Sequence, residues 1–277
     1  MQRRSTGWQR GTTMSKTLYL ECYSGISGDM TVAALLDLGA DREVLKESLK
    51  SLPVGGFRTE ITRVKKSGLD ACDFSVILEQ DNHDHDMEYL HGSEKSYTGH
   101  HEHSHEMNHE HHHGHTHSHE HPHEHRGMKE ITEIIQKSEM TARAKKMAMR
   151  VFGILAQAES KAHGVPVEEV HFHEVGAVDS IVDIAAIAIC MDNLDISNVI
   201  VPVLYEGTGF IRCQHGQIPV PVPAVTHIAE THKLKLKNHR HTGRTGDADR
   251  GSGGGCISYI RQITGRFYYV ENRHWSR

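Results

Sequence analysis

The segment AVDSIVDIAAIAICMDNL, residues 177–194, decides the fold of this chain. Apolar residues fill almost every position, so a helix formed here is stable only where other elements cover it on all sides. We therefore predict a buried helix at the centre of the ordered chain. Asp179 and Asp183 interrupt the apolar run four residues apart, which places both carboxylates on one face of that helix.

Shorter strands and helices alternate on both sides of this segment. Apolar residues at period two indicate strands, and apolar residues three or four apart indicate helices. Such alternation predicts an α/β fold of layered strands and helices, with a mixed α+β arrangement as the alternative. The predicted strands span residues 17–23, 57–65, 71–79, 167–174, 199–204 and 209–214. The predicted helices span residues 30–38, 41–52, 128–137, 141–163, 177–194 and 224–231, and residues 215–224 are predicted to form an extended turn punctuated by Pro.

A histidine-rich tract divides the predicted domain into two segments. Of the 26 histidines in the chain, 17 lie between His83 and His125. Because so few apolar residues cannot offset the entropy cost of ordering, we predict that residues 81–127 form a disordered, metal-binding insertion. The other predicted boundaries are an N-terminal extension at 1–15, α/β segments at 16–80 and 128–237, and a separate tail at 238–277.

The tract indicates transition-metal binding without selecting the metal. Imidazole is a ligand for nickel, zinc and copper, and the interspersed Glu and Asp residues add oxygen ligands. A solvated, charged linker with no metal function is the alternative. The predicted metal ligands in the tract are His101, His103, His105, His109, His111, His112, His113, His115, His117, His119, His121, His123 and His125.

A second candidate metal site lies in HFHEVGAVDSIVD, the stretch that leads into the apolar helix. On a strand, His171 and His173 point to the same side, about 6.6 Å apart at roughly 3.3 Å per residue, and can converge on one ion. Glu174, Asp179 and Asp183 complete the predicted catalytic set. Two carboxylates on so apolar a helix need a cation or hydrogen-bond donors to offset their cost. The alternative makes Asp179 a helix N-cap and His171 a hydrogen-bonded core residue.

The loop SGISGD, between the first predicted strand and helix, is a candidate anion site. Glycines placed after a strand and before a helix N-terminus can present backbone N–H groups to a phosphate. An ordinary tight turn is the alternative. The predicted cofactor-binding residues are Ser24, Gly25, Ser27, Gly28 and Asp29. A later segment, GTGFIRCQHG, contributes Cys213 and His215, but a structural turn accounts for it equally well.

Composition narrows the function classes further. The net charge of −5 gives no electrostatic support for binding nucleic acid, and no apolar run reaches the roughly 18 residues of a membrane span. The basic N-terminal residues lack the apolar core of a secretory signal. The five cysteines are scattered, form no Cys-x-x-Cys pair and fit a reducing compartment. We therefore predict a cytoplasmic protein without a nucleic-acid or membrane partner.

Four features together resemble the LarC family of nickel insertion proteins: LYLECYSGISGDM, the His-rich tract, VHFHEVGAVDSIVDI and GTGFIRCQHGQIPVPVPA. The resemblance covers residues 16–237. It implies a nickel chelatase of the lyase class that delivers Ni(II) to pyridinium-3,5-bisthiocarboxylic acid mononucleotide, forming the nickel-pincer cofactor of lactate racemase. It also implies CTP with a divalent cation, used by a separate C-terminal domain of the full-length protein. A nickel-pincer-dependent racemase and a second copy of this chain are the candidate protein partners.

The sequence departs from the family after Lys237. Apolar periodicity ends there, and Gly, Arg and Asp accumulate in NHRHTGRTGDADRGSGGG. Back-translation of residues 238–252 with chosen codons, read from the second base, can yield ITDIQEELVTPTGAA, and residues 267–277 in the same frame can yield KTGIGAG. Both segments resemble the family. We therefore expect an out-of-frame tail, from ribosomal frameshifting or a gene error, and a chain that lacks CTP-dependent activity alone.

Two other functions are alternatives to nickel insertion. A non-catalytic nickel or zinc store or chaperone needs only the tract, and it leaves Asp179 and Asp183 unexplained. A zinc hydrolase usually needs three protein ligands and an open water position, whereas only two His and one Glu are in obvious register here. Nickel insertion is therefore the function that the sequence favours.

Deleting residues 83–125 should sharply lower the number of Ni(II) ions bound per chain, because 17 of the 26 imidazoles are lost. Equilibrium dialysis of the intact and deleted chains measures this number. A variant with the same histidines replaced by Asn keeps the length of the tract and separates loss of ligands from loss of chain. Unchanged stoichiometry in both variants would show that the tract does not gather nickel.

Overall fold

A computed structural model shows a mixed α/β fold, as the sequence predicts. The structure describes residues 16–23, 25–66, 68–79, 126–172, 177–213 and 216–238. The predictions for the N-terminal extension, for residues 81–125 of the insertion and for the tail beyond Asn238 lie outside the described residues. So do those for Ser24, His173, Glu174 and His215. Arg126 and Gly127, predicted to end the disordered insertion, and Asn238, predicted to begin the tail, lie instead in short strands.

Helices and short strands alternate along the described chain. The helices are α1 (Gly28–Asp37), α2 (Arg42–Lys50), α3 (Met128–Lys137), α4 (Ala142–His163), α5 (Val178–Asn193) and α6 (Pro223–Thr231), with a 3₁₀ turn at Val167–Glu169. The strands are β1 (Lys16–Tyr19), β2 (Phe57–Lys66), β3 (Leu69–Leu78), β4 (Arg126–Gly127), β5 (His171–Phe172), β6 (Ile196–Ile200), β7 (Leu204–Glu206), β8 (Gly209–Cys213), β9 (Gly216–Val220) and β10 (Leu236–Asn238).

Helix α5 is the buried centre of the fold. It packs against the helices α1, α2 and α4 and against the strands β3 and β6, which together cover its apolar surface. Fully burying one large apolar side chain contributes about 1.5–3 kcal/mol, so the packing around α5 is a main source of stability. None of the described helices, α5 included, has both the length and the apolar surface that a membrane crossing requires. The buried residues of α5 are Ile181, Val182, Ile184, Ala185, Ala186, Ile187, Ala188, Ile189, Cys190 and Met191.

The β2–β3 hairpin packs on α1 and is tied to it by one carboxylate. Asp37, the last residue of α1, accepts a hydrogen bond of 2.9 Å from the backbone N–H of Cys72. The same carboxylate pairs with the guanidinium of Arg63, which also contacts Asp70 on β3. These bonds fix the hairpin against the carboxyl end of α1.

Two parallel strand pairs lie close together near the start of α1. Strand β1 pairs with β6, and β7 pairs with β10. Beyond β1 the chain runs beside β7, where Cys22 forms a parallel bridge with Leu204 and the rings of Tyr23 and Tyr205 lie 5.6 Å apart. Parallel strands point the same way, so their carboxyl ends meet at one edge, and α1 begins shortly after that edge.

Three predicted elements differ from the structure. In place of the strand predicted at 199–204, β6 ends at Ile200 and β7 begins at Leu204, and residues 201–203 between them belong to no strand. The strand predicted at 167–174 begins instead as a 3₁₀ turn and leads into the two-residue strand β5. Pro166 fixes the backbone before this turn, and its carbonyl accepts the N–H of Glu169 at 3.0 Å. The extended turn predicted at 215–224 includes strand β9, which pairs with β8. Pro219 is tolerated there because each strand of a two-stranded hairpin has one unpaired side.

Candidate metal-handling site

The two predicted motifs, the SGISGD loop and the acidic pair on α5, meet where the start of α1 contacts α5. A Cβ atom placed on Gly28, the first residue of α1, would lie 2.0 Å from Oδ2 of Asp183 and 2.6 Å from its Cγ. No side chain fits in that space. Gly28 is therefore required for close packing against Asp183, a reason different from the anion-binding role that its sequence motif predicts.

Asp183 is a carboxylate in an unfavourable environment. Its Oδ1 atom is buried and has no hydrogen-bond partner among the described residues. Burial, followed by the negative charges of Asp29 and Asp179, raises the pKa of Asp183 to about 8. Near neutral pH this carboxyl is therefore largely protonated unless a positive charge is brought to it.

Asp183 forms an acidic cluster with Asp29 and Asp179. The side chains of these two residues are more exposed than that of Asp183. Asp29 accepts hydrogen bonds from the Ser27 hydroxyl and, at 2.7 Å, from the backbone N–H of Met30. Asp179 lies in the first turn of α5. Desolvation of its carboxyl by the surrounding protein raises the pKa of Asp179, although hydrogen bonds from the backbone N–H groups of Ser180 and of Asp179 itself act in the opposite direction. Like charges thus converge from two motifs that are far apart in sequence.

The structure excludes both structural alternatives for the second motif. Ala177 is the N-cap of α5, so Asp179 is a first-turn residue and not a cap. His171 is exposed on β5, where it pairs with Gly127, and is not a core residue. It lies near Glu130, whose pKa is lowered mainly by hydrogen bonds from its own N–H and that of Gly127.

The predicted nickel ligand set is only partly placed. Within the described residues, no three His, Cys, Asp or Glu side chains are arranged to hold a metal ion. His173 and Glu174 lie outside those residues, so whether they join His171 and Asp183 remains a prediction. The described structure brings together Gly28, Asp29, Asp179 and Asp183.

Glu206 is a buried acidic residue that the sequence did not single out. Its side chain is 1% exposed, and its Oε1 accepts the backbone N–H of Gly207 at 2.9 Å. Its Oε2 has no partner in the described part of the chain, and burial raises the pKa of this carboxyl. The one available signal was a charged residue at the end of an apolar strand, just before the GTGFIRCQHG segment.

Comparison of the sequence with known proteins places this chain in one family. The profile of the family described as "Nickel insertion protein" matches residues 18–248. A protein of Alkaliphilus metalliredigens named pyridinium-3,5-bisthiocarboxylic acid mononucleotide nickel insertion protein is 51% identical over 225 residues, covering 81% of this chain and 48% of its own length.

Two further relatives carry the same name. The one from Clostridium acetobutylicum is 45% identical over 215 residues, covering 77% of this chain and 49% of its own length. The one from Acetivibrio thermocellus is 37% identical over 210 residues, covering 76% and 44%. This chain thus spans about half the length of the curated relatives it matches. No solved structure matches the chain.

Gly28→Ala should lower the free energy of unfolding by about 1–3 kcal/mol, since the added methyl group must displace the carboxyl of Asp183. Denaturant unfolding measures the change. Gly153→Ala is the matched control, because Gly153 is also helical and a Cβ there meets no described atom within 4 Å. The control should be neutral or stabilising by up to about 1 kcal/mol. Equal effects at both positions would show that the contact is unimportant.

Asp183→Asn should raise the melting temperature at pH 9 and change it little at pH 4. The pKa of Asp183 is about 8 in the folded chain and about 3.9 in the unfolded chain. The folded chain therefore holds a proton that the unfolded chain has lost, and stability falls as pH rises between these values. Asn cannot ionise, so this loss disappears.

Metal-free thermal unfolding at several pH values tests the Asp183 prediction. The expected gain is several degrees at pH 9, at roughly 2–4 °C for each kcal/mol. Glu139→Gln, which changes an exposed carboxylate distant in sequence, controls for the loss of one negative charge. Parallel melting curves for the intact chain and Asp183→Asn across this pH range would contradict the raised pKa.

Proposed function

The chain belongs to the nickel insertion protein family, and from this premise we propose that it delivers Ni(II) to pyridinium-3,5-bisthiocarboxylic acid mononucleotide. Because it spans about half of its relatives, its own activity is an inference from them. The observation that carries the proposal is the contact of Gly28 with Asp183, which joins the SGISGD loop to the acidic cluster.

In the proposed sequence of events the His-rich tract gathers nickel and the ordered residues present it. His171, His173 and Glu174, together with Asp179 or Asp183, hold the ion beside the mononucleotide. Gly25, Gly28 and the other residues of the SGISGD loop hold the phosphate at the start of α1, because a helix presents backbone N–H groups at its N-terminus. The tract provides capacity, whereas the ordered residues provide fixed geometry.

Binding of the nickel ion and binding of the mononucleotide phosphate depend on each other through their charges. A phosphate brought to the start of α1 is repelled by the carboxylate of Asp29, and it adds to the cost of ionising the neighbouring Asp183. A nickel ion held by the same carboxylates removes the repulsion and offsets the cost of ionising Asp183. We therefore expect nickel to bind before the mononucleotide, or to raise its affinity.

Transfer is completed when the two thiocarboxylate sulfurs and a ring carbon of the mononucleotide replace the ligands of the protein. Sulfur donors suit nickel better than imidazole and carboxylate oxygen do, which gives the transfer its direction. The ring carbon loses a proton as its bond to nickel forms, and a carboxylate of the acidic cluster can accept it. Asp183 suits this role because bound nickel keeps it ionised, and its pKa returns to about 8 as the nickel leaves.

The reaction class, the nucleotide requirement and the protein partner are inferred from the family resemblance. We propose a chelatase of the lyase class that uses CTP and a divalent cation through the part of its relatives that this chain does not match. The product would supply a nickel-pincer-dependent racemase in the cytoplasm. The buried free thiols of Cys22, Cys72 and Cys190 fit a reducing compartment.

A nickel store remains the second candidate function, because the described residues alone hold no complete metal site. Storage requires the tract and nothing else. If the tract only assists insertion, its deletion should slow metallation of the mononucleotide without abolishing it. If the protein is a store, no metallation occurs with or without the tract.

His171→Ala or His173→Ala should abolish metallation of the mononucleotide while most nickel binding persists in the tract. Each variant is made in a version whose reading frame is shifted by one base after Lys237, called the shifted-frame protein. Substrate, Ni(II) and CTP are added, and the product is measured by mass spectrometry. His163→Ala, a change at the end of α4, is the control and should retain activity.

Normal metallation by both His variants would show that these residues are structural. The chain as it stands should be assayed beside the shifted-frame protein. We expect only the shifted-frame protein to perform CTP-dependent insertion. Equal activity of the two would contradict the assignment of residues 238–277 to an out-of-frame tail.

A further inference from the structure

Glu206 has the properties of a ligand-binding residue and no role in the site described above. It is the last residue of β7, and its carboxyl is buried with one oxygen bound to Gly207 and the other unpartnered among the described residues. A buried polar atom without a hydrogen bond costs about 1–3 kcal/mol, and more when it is charged. A bound group that donates a hydrogen bond would remove that cost.

The position of Glu206 is where parallel α/β sheets bind ligands. Strand β7 runs parallel to β10 and to the chain at Cys22, so Glu206 lies at the carboxyl edge of these strands. The contact between Tyr23 and Tyr205 brings this edge next to the segment that leads into α1. Ligands of such sheets bind outside the carboxyl ends of the strands, with phosphate at a helix start.

The chemistry around Glu206 favours hydroxyl donors over a metal ion. Among the described residues, no two His, Cys, Asp or Glu side chains join Glu206 in an arrangement that could hold a metal ion. Burial raises the pKa of the nearby Cys22 thiol to about 11, so it stays neutral and does not act as a thiolate ligand. Protonation alone also fails to satisfy the site, because the added proton would itself need an acceptor.

We propose that Glu206 binds the vicinal hydroxyls of a ribose, and so recognises the sugar of the mononucleotide. This inference rests on the proposed function, which supplies a mononucleotide as substrate. A carboxylate accepts two O–H donors, and a neutral diol satisfies the buried oxygen without bringing another charge. The phosphate at the start of α1 and the sugar at Glu206 would then hold one substrate at two points along the same edge.

Binding of pyridinium-3-carboxylic acid mononucleotide and of its 2′,3′-dideoxy analogue tests the subsite. Both probes carry the same ring and phosphate and differ only in the diol. Equilibrium dialysis with the full chain, with and without Ni(II), should show at least about tenfold tighter binding of the diol, as expected for hydrogen bonds to a charged group. Glu206→Gln should reduce that preference to less than about threefold, because the amide offers only one acceptor oxygen.

Glu230→Gln is the matched control, since Glu230 is an exposed glutamate on α6 whose partner is Lys161. It should keep the preference for the diol, and both variants should bind nickel normally. Equal binding of the two probes to the intact chain would overturn the proposal. This comparison needs no variant, so it is valid even if Glu206→Gln fails to fold. Retained preference in a folded Glu206→Gln would also overturn it.

The same measurements separate this inference from the proposed function. If the probes bind equally while the shifted-frame protein still metallates its substrate, only the ribose subsite is wrong. If neither probe binds and no metallation occurs, the assignment of a mononucleotide substrate fails as well. A diol preference that Glu206→Gln removes would support both.

Discussion

The candidate site depends on how closely α1 and α5 approach at Gly28. Only a residue without a side chain lets the start of α1 lie against Asp183, and the apolar surface of α5 holds the two helices together. The same contact brings Asp29 towards Asp179 and Asp183. Core packing therefore imposes an arrangement of charges that the carboxylates themselves oppose, and the fold keeps a carboxyl whose pKa is about 8.

This conflict gives the site its chemical character. The carboxylates of Asp29 and Asp179 near a helix start disfavour an anion until a cation is present, which agrees with the proposed binding of nickel before a phosphorylated substrate. Glu206 adds a further buried carboxyl at the carboxyl edge of the parallel strands. Its Oε2 atom, like Oδ1 of Asp183, has no hydrogen-bond partner among the described residues. The stable apolar core offsets the cost of these groups, as functional sites commonly require.

Local patterns predicted most elements of the fold. The bounds of α3 match the prediction, and α5 and the β2–β3 hairpin differ from it by one or two residues. Such patterns could not predict the contact of Gly28 with Asp183, because the two residues are far apart in the chain and only tertiary packing brings them together. Glu206 was missed for a related reason, since one acidic residue at a strand end carries no periodic signal. Strand geometry predicted that His171 and His173 form a pair, and the structure describes only His171 of the two.

The central claim is that nickel passes from imidazole and carboxylate ligands of the protein to sulfur ligands of the mononucleotide. Nickel X-ray absorption spectroscopy of the shifted-frame protein without residues 83–125, loaded with Ni(II), reports those ligands directly. We expect nitrogen and oxygen neighbours before substrate and CTP are added, and sulfur neighbours afterwards. A nickel environment that stays nitrogen and oxygen throughout would contradict the account.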